Sequence, residues 1–308
     1  MANYVVVDTR LMLYNRFHRN QSLLPVTSDI ANISTSLGGL KKKPAKVIFA
    51  FDKGKSRRTE VFKEYKAHRK DAIKKKGADY KEKLDKFNED YDKFEEYLLY
   101  FGHVASIQGV EADDIASILS ASSMPKNGNT LFLVSSDSDW VKFLRDDRDV
   151  RILNPAKNKV ITYDNCASIY GYTPEQKLFM DSLTGVGKEN VPGIYRFGPK
   201  TFLKMWNEYD GNVDDIIEVL GKMFDNTDKL PDRFTSVRAM YEFNLELFRP
   251  WTITDLTKDE AELLKKQITE YKGPSTVSTI LEASYDTFGK LHMPSYKEQS
   301  FYGISDDS

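Results

Sequence analysis

Residues 4–9 read YVVVDT, an unbroken apolar, β-branched run that ends on an acid. A run of this kind, with no polar alternation, is the pattern of a strand buried on both faces, as in a parallel sheet. Working outward, the same texture returns at Lys46–Gly54 (KVIFAFDKG) and Thr130–Trp140 (TLFLVSSDSDW), and more weakly at His103–Val110 (HVASIQGV). Helical patterns lie between them, over 30–40 and 115–122. Strands alternating with helices predict an α/β fold with a mostly parallel sheet. Residues 150–164 (VRILNPAKNKVITYD) predict a short hairpin turning at Pro155–Asn158.

Each of these runs stops at acid. The first ends on Asp8, the second on Asp52, the third on Asp137 and Asp139, and the fourth leads into Glu111, Asp113 and Asp114. Ligand sites of open parallel sheets form outside the carboxyl ends of the strands, so separate stretches aim acids at one edge. Capping of the helix that follows Glu111 would be worth about 0.3–1 kcal/mol per acid and explains one or two of them. It does not explain acids on the other strand ends. Two carboxylates about 5 Å apart repel by roughly 3 kcal/mol at an effective dielectric of about 20, so the cluster calls for protonation or a cation. Oxygen-only donors suit Mg²⁺ or Mn²⁺, and no histidine is interleaved to favour zinc. A pair of such ions about 4 Å apart serves phosphoryl transfer, which predicts metal-dependent phosphodiester cleavage. A haloacid-dehalogenase-like phosphatase is the weaker reading, because it needs a second Asp two residues after Asp8, where Arg10 stands.

The 308 residues carry 45 basic and 46 acidic side chains, a balance that conceals a local excess. Residues 53–76 hold eleven Lys and Arg against three acids, which predicts an electrostatic guide for a polyanion. Tyr80, Leu84, Phe87, Tyr91, Phe94 and Leu98 follow at steps of four and three, one apolar stripe on a charged helix. Together these predict a long basic and helical insertion over 53–100, between the second strand and the third. The single cysteine, Cys166, excludes a disulfide framework and a cysteine-built zinc site. No apolar run approaches the roughly 20 residues of a membrane span, and the first residues lack a leader pattern. The expectation is a soluble, cytoplasmic monomer with no membrane partner. Thr173, Pro174 and Gln176 make a capping box for a helix to about Leu183. A glycine-rich turn and a helix from Pro199 come next, and a glycine turn into a helix N-terminus suits a phosphate. That makes Gly193, Gly198 and Lys200 candidates for phosphate binding, with Lys204 one helical turn on. The predicted organisation is a nuclease domain over 1–180, a helical duplex-binding region over 181–293 and a flexible tail over 294–308.

These residues resemble the 5′-nucleases of bacteriophages and bacteria, a family that includes flap endonucleases, 5′-3′ exonucleases and phage ribonucleases H. The resemblance covers roughly residues 4–256. GVEADDIAS (109–117) is its most specific match, with LVSSDSDWVKFL (133–144), VVVDTR and FAFDKGKSRRTEVFKEYKAHR beside it. It implies a PIN-like domain bridged by a helical arch, with a helix-three-turn-helix at VPGIYRFGPKTF (191–202). It implies two or three Mg²⁺ or Mn²⁺ ions, with a K⁺ ion at the helix-three-turn-helix. Asp8, Asp52, Glu111, Asp113 and Asp114 would serve the first metal, and Asp137, Asp139 and Glu189 the second. EYKAHR matches a Tyr-Lys-x-x-Arg pattern, so Tyr65, Lys66 and Arg69 inherit contact with the scissile phosphate and its neighbouring base. Lys53, Lys55, Arg57 and Arg58 would line the path of the DNA. The implied activity is cleavage near the 5′ end of flapped, nicked or 5′-recessed DNA, and of RNA–DNA hybrids, in phage replication. A single-stranded-DNA-binding protein is an implied partner. The 5′ polarity comes from the resemblance alone. One departure stands out: where the family reads Gly-Asp-x-x-Asp-Asn, this chain reads GVGKEN, with Val186 and Glu189 for the two aspartates. Val186 cannot bind a metal, which raises the alternative of a branched-DNA-binding protein with impaired catalysis.

Overall fold

The apolar runs fold as strands of one six-stranded sheet. The computed structural model describes residues 1–273 and 275–306. The strands are β1 (Asn3–Asp8), β2 (Lys46–Ala50), β3 (His103–Ala105), β4 (Thr130–Val134), β5 (Val150–Asn154) and β6 (Lys159–Ile161), side by side in the order β3-β2-β1-β4-β5-β6. All neighbours are parallel except β5 and β6, the expected hairpin. Val5, Val6 and Val7 are fully buried, as the lack of alternation requires. The register aligns the carboxyl ends: Asp8 pairs with Ala50, Ala50 with Ala105, and Val7 with Val134. Strand order reverses direction at β1, so the crevice between β1 and β4 is the topological switch point.

The chain forms two compact units, and their boundaries correct the expected organisation. The first joins 1–56, 78–165 and 251–308; the second joins 57–77 and 166–250. The predicted arch over 53–100 is therefore divided. Its helix Ala78–Tyr97 belongs to the first unit, where Leu84, Phe87, Tyr91 and Phe94 are buried. Phe87 packs on Phe17 of the helix Thr9–His18, ring centres 5.0 Å apart. Phe94 packs on Phe288 of the helix Val277–Phe288 at 4.7 Å. The apolar stripe thus decides the helix's allegiance, and the apolar-poor segment before it goes elsewhere.

The expected flexible tail is also corrected, save residues 307 and 308, which lie outside the described residues. Tyr296–Tyr302 is a helix with a Ser295–Glu298 capping box. Phe301, Tyr302 and Ile304 are buried. Glu298 accepts hydrogen bonds from Thr27 Oγ1 (2.6 Å), His292 Nε2 (3.0 Å), the Ser295 N–H (2.9 Å) and the Ser28 hydroxyl. Tyr302 donates its hydroxyl to the Thr27 carbonyl at 3.0 Å. Apolar anchors and a satisfied buried carboxylate outweigh the short segment's weak periodicity.

The second unit has two apolar clusters. One is built from Met180, Leu183, Ile194, Phe197, Phe202, Ile216, Ile217 and Leu220 with their neighbours. The other joins Phe62, Tyr65, Val191, Leu247 and Phe248, with Leu178, Val186 and Phe243 against it. The helix Pro174–Thr184 carries the predicted capping box, Thr173 with Gln176.

Candidate metal centre

Within the first unit, four strand ends deliver seven acids. Asp8 is the last residue of β1, and Asp52 lies two residues past β2. Glu111, Asp113 and Asp114 open the helix Ala112–Ala121, and Asp137 and Asp139 follow β4. The sequence-predicted acids of this unit therefore all reach one edge of the sheet. Backbone groups fix most of them. Asp8 Oδ1 accepts from the Leu11 N–H (3.1 Å) and Asp52 Oδ1 from the Ala112 N–H (2.8 Å). Asp114 Oδ2 accepts from the Glu111 N–H (3.0 Å), and Asp137 Oδ1 from the Asp139 N–H (3.0 Å). Asp113 Oδ1 accepts from the indole N–H of Trp140, a fully buried side chain.

Electrostatics concentrates on Asp8. Burial, the charge of Asp52 and that of Asp137 raise its carboxyl from the usual range to about 7, against the pull of the Leu11 and Ser135 hydrogen bonds. A carboxylate so crowded is stabilised by a divalent cation, whose charge reverses the local balance. The donors are all oxygen, the set that suits Mg²⁺ or Mn²⁺. Among the described residues, no three His, Cys, Asp or Glu side chains are drawn together as a finished metal cage. The acids instead accept hydrogen bonds, from backbone N–H groups at Asp8, Asp52, Asp114 and Asp137 and from the Trp140 indole at Asp113. The donor chemistry and the crowding at Asp8 fit an ion on these terms.

Three further residues carry the site and were not picked out from sequence. Ser135, fully buried, donates its hydroxyl to Asp8 Oδ2 and accepts from the Asp137 N–H, both at 3.0 Å. Arg10 holds its Nε 3.9 Å from Asp52 Oδ2 and lies 4.8 Å over the Tyr91 ring. Trp140 clamps Asp113. A serine between a strand end and an acidic pair has no periodic signature, but its place beside the β1 acid follows from the β1–β4 pairing.

The remaining predicted residues distribute as follows. In the first unit Lys53 pairs with Glu95 at 2.7 Å, and Lys55 is exposed. In the second unit Arg57 is half-buried, and Arg58 donates from Nε to the Leu247 carbonyl at 2.8 Å. Tyr65 is buried in the Phe62 cluster, packed among apolar side chains. Lys66 and Arg69 meet Glu189: Lys66 Nζ is 3.3 Å from Oε2, and Arg69 Nη2 is 3.2 Å from Oε1. Asp181, the nearest acid upstream, is bound at 2.6 Å by Lys177 in a buried pair. Gly193 packs on the backbone of Thr184, where a Cβ would fall 2.0 Å from a carbonyl carbon. Its glycine thus has a packing reason of its own. Gly198 is the N-cap of the helix Pro199–Glu208, on which Lys200 and Lys204 are exposed. No described helix is long and apolar enough to cross a membrane.

The chain is similar to known nucleases on three counts. Residues 3–171 match the family of the 5′-3′ exonuclease, N-terminal resolvase-like domain. Among curated proteins it is 28% identical over 230 residues to a 5′-3′ exonuclease of Buchnera aphidicola subsp. Schizaphis graminum, covering 71% of this chain and 74% of that one. It is 31% identical over 190 residues to DNA polymerase I of Bacillus subtilis, covering 59% of this chain but 20% of the polymerase. Among solved structures, T5 5′-exonuclease with bound zinc ions superposes with a TM-score of 0.70 at 23% identity, over 87% of this chain and 99% of that one. The fold is accordingly the PIN-like α/β fold expected.

Proposed function

The chain belongs to the 5′-3′ exonuclease family, and from that premise we propose that it is a divalent-metal-dependent, structure-specific 5′-nuclease. Its substrates are flapped, nicked or 5′-recessed DNA and RNA–DNA primers. The observation that carries this reading is the delivery of Asp8, Asp52, Glu111, Asp113, Asp114, Asp137 and Asp139 to one sheet edge at the switch point. These residues would hold Mg²⁺ or Mn²⁺, and the bound ions would supply an activated water and stabilise the leaving oxygen. Ser135 orients Asp8 and Asp137 together. Lys66 and Arg69 contact the phosphate, and a lysine and an arginine suit a developing phosphoryl charge. Lys200 and Lys204, exposed on one helix, contact the duplex backbone. Phage replication is the setting in which such a chain removes primers.

The reading is tested by product mapping on a 5′-labelled flap and an RNA–DNA hybrid with Mg²⁺ or Mn²⁺. Cleavage near the 5′ end is expected, and Asp8→Asn is expected to abolish it. Because Asp8 repels Asp52 and Asp137, the same variant melts higher than the parent in EDTA. Binding without cleavage under both metals would reverse the reading in favour of a catalytically impaired DNA-binding protein.

A further inference from the structure

In the second unit one buried carboxylate engages two cations. Glu189 is 8% exposed, and its two oxygens are divided between Lys66 and Arg69. The backbone reinforces the arrangement: the Lys66 N–H donates to the Glu189 carbonyl at 2.8 Å, and the Asn190 side-chain amide donates to the Glu64 carbonyl at 2.8 Å. Arg69 also reaches the Lys188 carbonyl at 3.5 Å. Lys66 itself sits at φ +57, the left-handed region that a lysine rarely adopts, so the turn is held by its surroundings. Two cations against one anion leave this cluster one positive charge in excess. Arg69 keeps half of its side chain exposed, whereas Glu189 is enclosed.

We infer that Glu189 is a positioning residue for Lys66 and Arg69, a built-in counter-anion that occupies the place of a nucleic-acid phosphate until substrate arrives. The inference rests on the proposed phosphate contact by those two cations. A non-bridging phosphate pair presents two oxygens to a cationic fork, as a carboxylate does. An incoming phosphate therefore competes with Glu189 for the same donors. In its absence Glu189 keeps both side chains from dispersing. The carboxylate thus sets the orientation of the cations and weakens their grip on the phosphate.

The test measures binding of a labelled 5′-flap duplex to the full chain in EDTA, where no cleavage occurs. Glu189→Gln keeps the side chain's shape and removes its charge, and binding is expected to tighten roughly fivefold, the effect of about one unscreened unit charge at 4 Å in water. In the Lys66→Ala/Arg69→Ala background the same substitution is expected to change Kd by less than about twofold, the loss of coupling that a double-mutant cycle reads. With Mg²⁺ restored, Glu189→Gln lowers both KM and kcat, because grip rises while orientation is lost. Glu189→Asp, which keeps the charge, stays within about twofold of the parent in EDTA binding and controls for folding. Equal tightening in both backgrounds, or none in either, overturns the inference and leaves the proposed function standing. A rise in the Mg²⁺ concentration for half-maximal cleavage with no coupling assigns Glu189 to the metal instead. No binding of flap DNA by the parent protein overturns the proposed function and this inference with it.

Discussion

The Ser135 hydroxyl bridges Asp8 Oδ2 and the Asp137 N–H, joining the end of β1 to the loop after β4 with 3.0 Å contacts on each side. The serine is fully buried, so its hydrogen bond to Asp8 is shielded from solvent. Ser135→Ala leaves the buried Asp8 carboxylate short of a donor, a loss that costs about 1–3 kcal/mol in stability. Residues that orient metal ligands through a hydrogen bond are worth roughly 10–100-fold in metal affinity or activity. Ser135→Ala is therefore expected to raise the Mg²⁺ requirement within that range. Titrating cleavage against Mg²⁺ checks it, and an unchanged requirement would refute the orienting role.

Val186 packs against the Phe62–Tyr65–Val191 cluster, and its backbone pairs with Val191. Restoring the aspartate of the family pattern at this place inserts a carboxylate into an apolar contact. Val186→Asp is expected to lose about 1–3 kcal/mol of stability, the cost of an uncompensated polar group. It is not expected to raise cleavage. Thermal melting with and without Mg²⁺, followed by an activity assay, checks both parts; a more active variant would revive the impaired-catalysis alternative.

Glu298 carries a pH dependence whose sign can be worked out. Burial opposes its ionisation, but hydrogen bonds from His292, Ser28, Thr27 and the Ser295 N–H prevail and bring the carboxyl down to about 2. A folded-state value below the unfolded one stabilises the protein fully above the ordinary carboxylate range. That contribution is lost as pH falls from about 4.5 towards 2. Between pH 5 and pH 3 the parent protein is expected to lose more melting temperature than Glu298→Gln, by roughly 5 °C. Parallel melting curves for the two would contradict the assignment.

The strands and their acids were legible because burial on both faces suppresses alternation and because every run ended in Asp or led into Glu111. The hairpin at 150–161 and the capping box at Thr173 were legible from local chemistry. The pairing of Glu189 with Lys66 and Arg69 was not, because it spans more than a hundred residues and carries no periodic mark. The Ser295–Glu298 box was present in the sequence, but a helix of seven residues has too few turns to display a stripe. The division of the predicted arch was hidden for a related reason. Which unit a segment joins depends on apolar partners such as Phe17 and Phe288, which lie far away along the chain.

The helix Tyr296–Tyr302 closes over residues that the ribosome makes long before it, since its Tyr302 bonds to Thr27 and its Glu298 to Ser28. During synthesis the β-sheet unit must wait with part of its core uncovered while both pieces of the second unit emerge. The second unit is complete by residue 250 and needs nothing later in the chain to fill its own clusters. The helical half can therefore finish folding first, and the β-sheet half last.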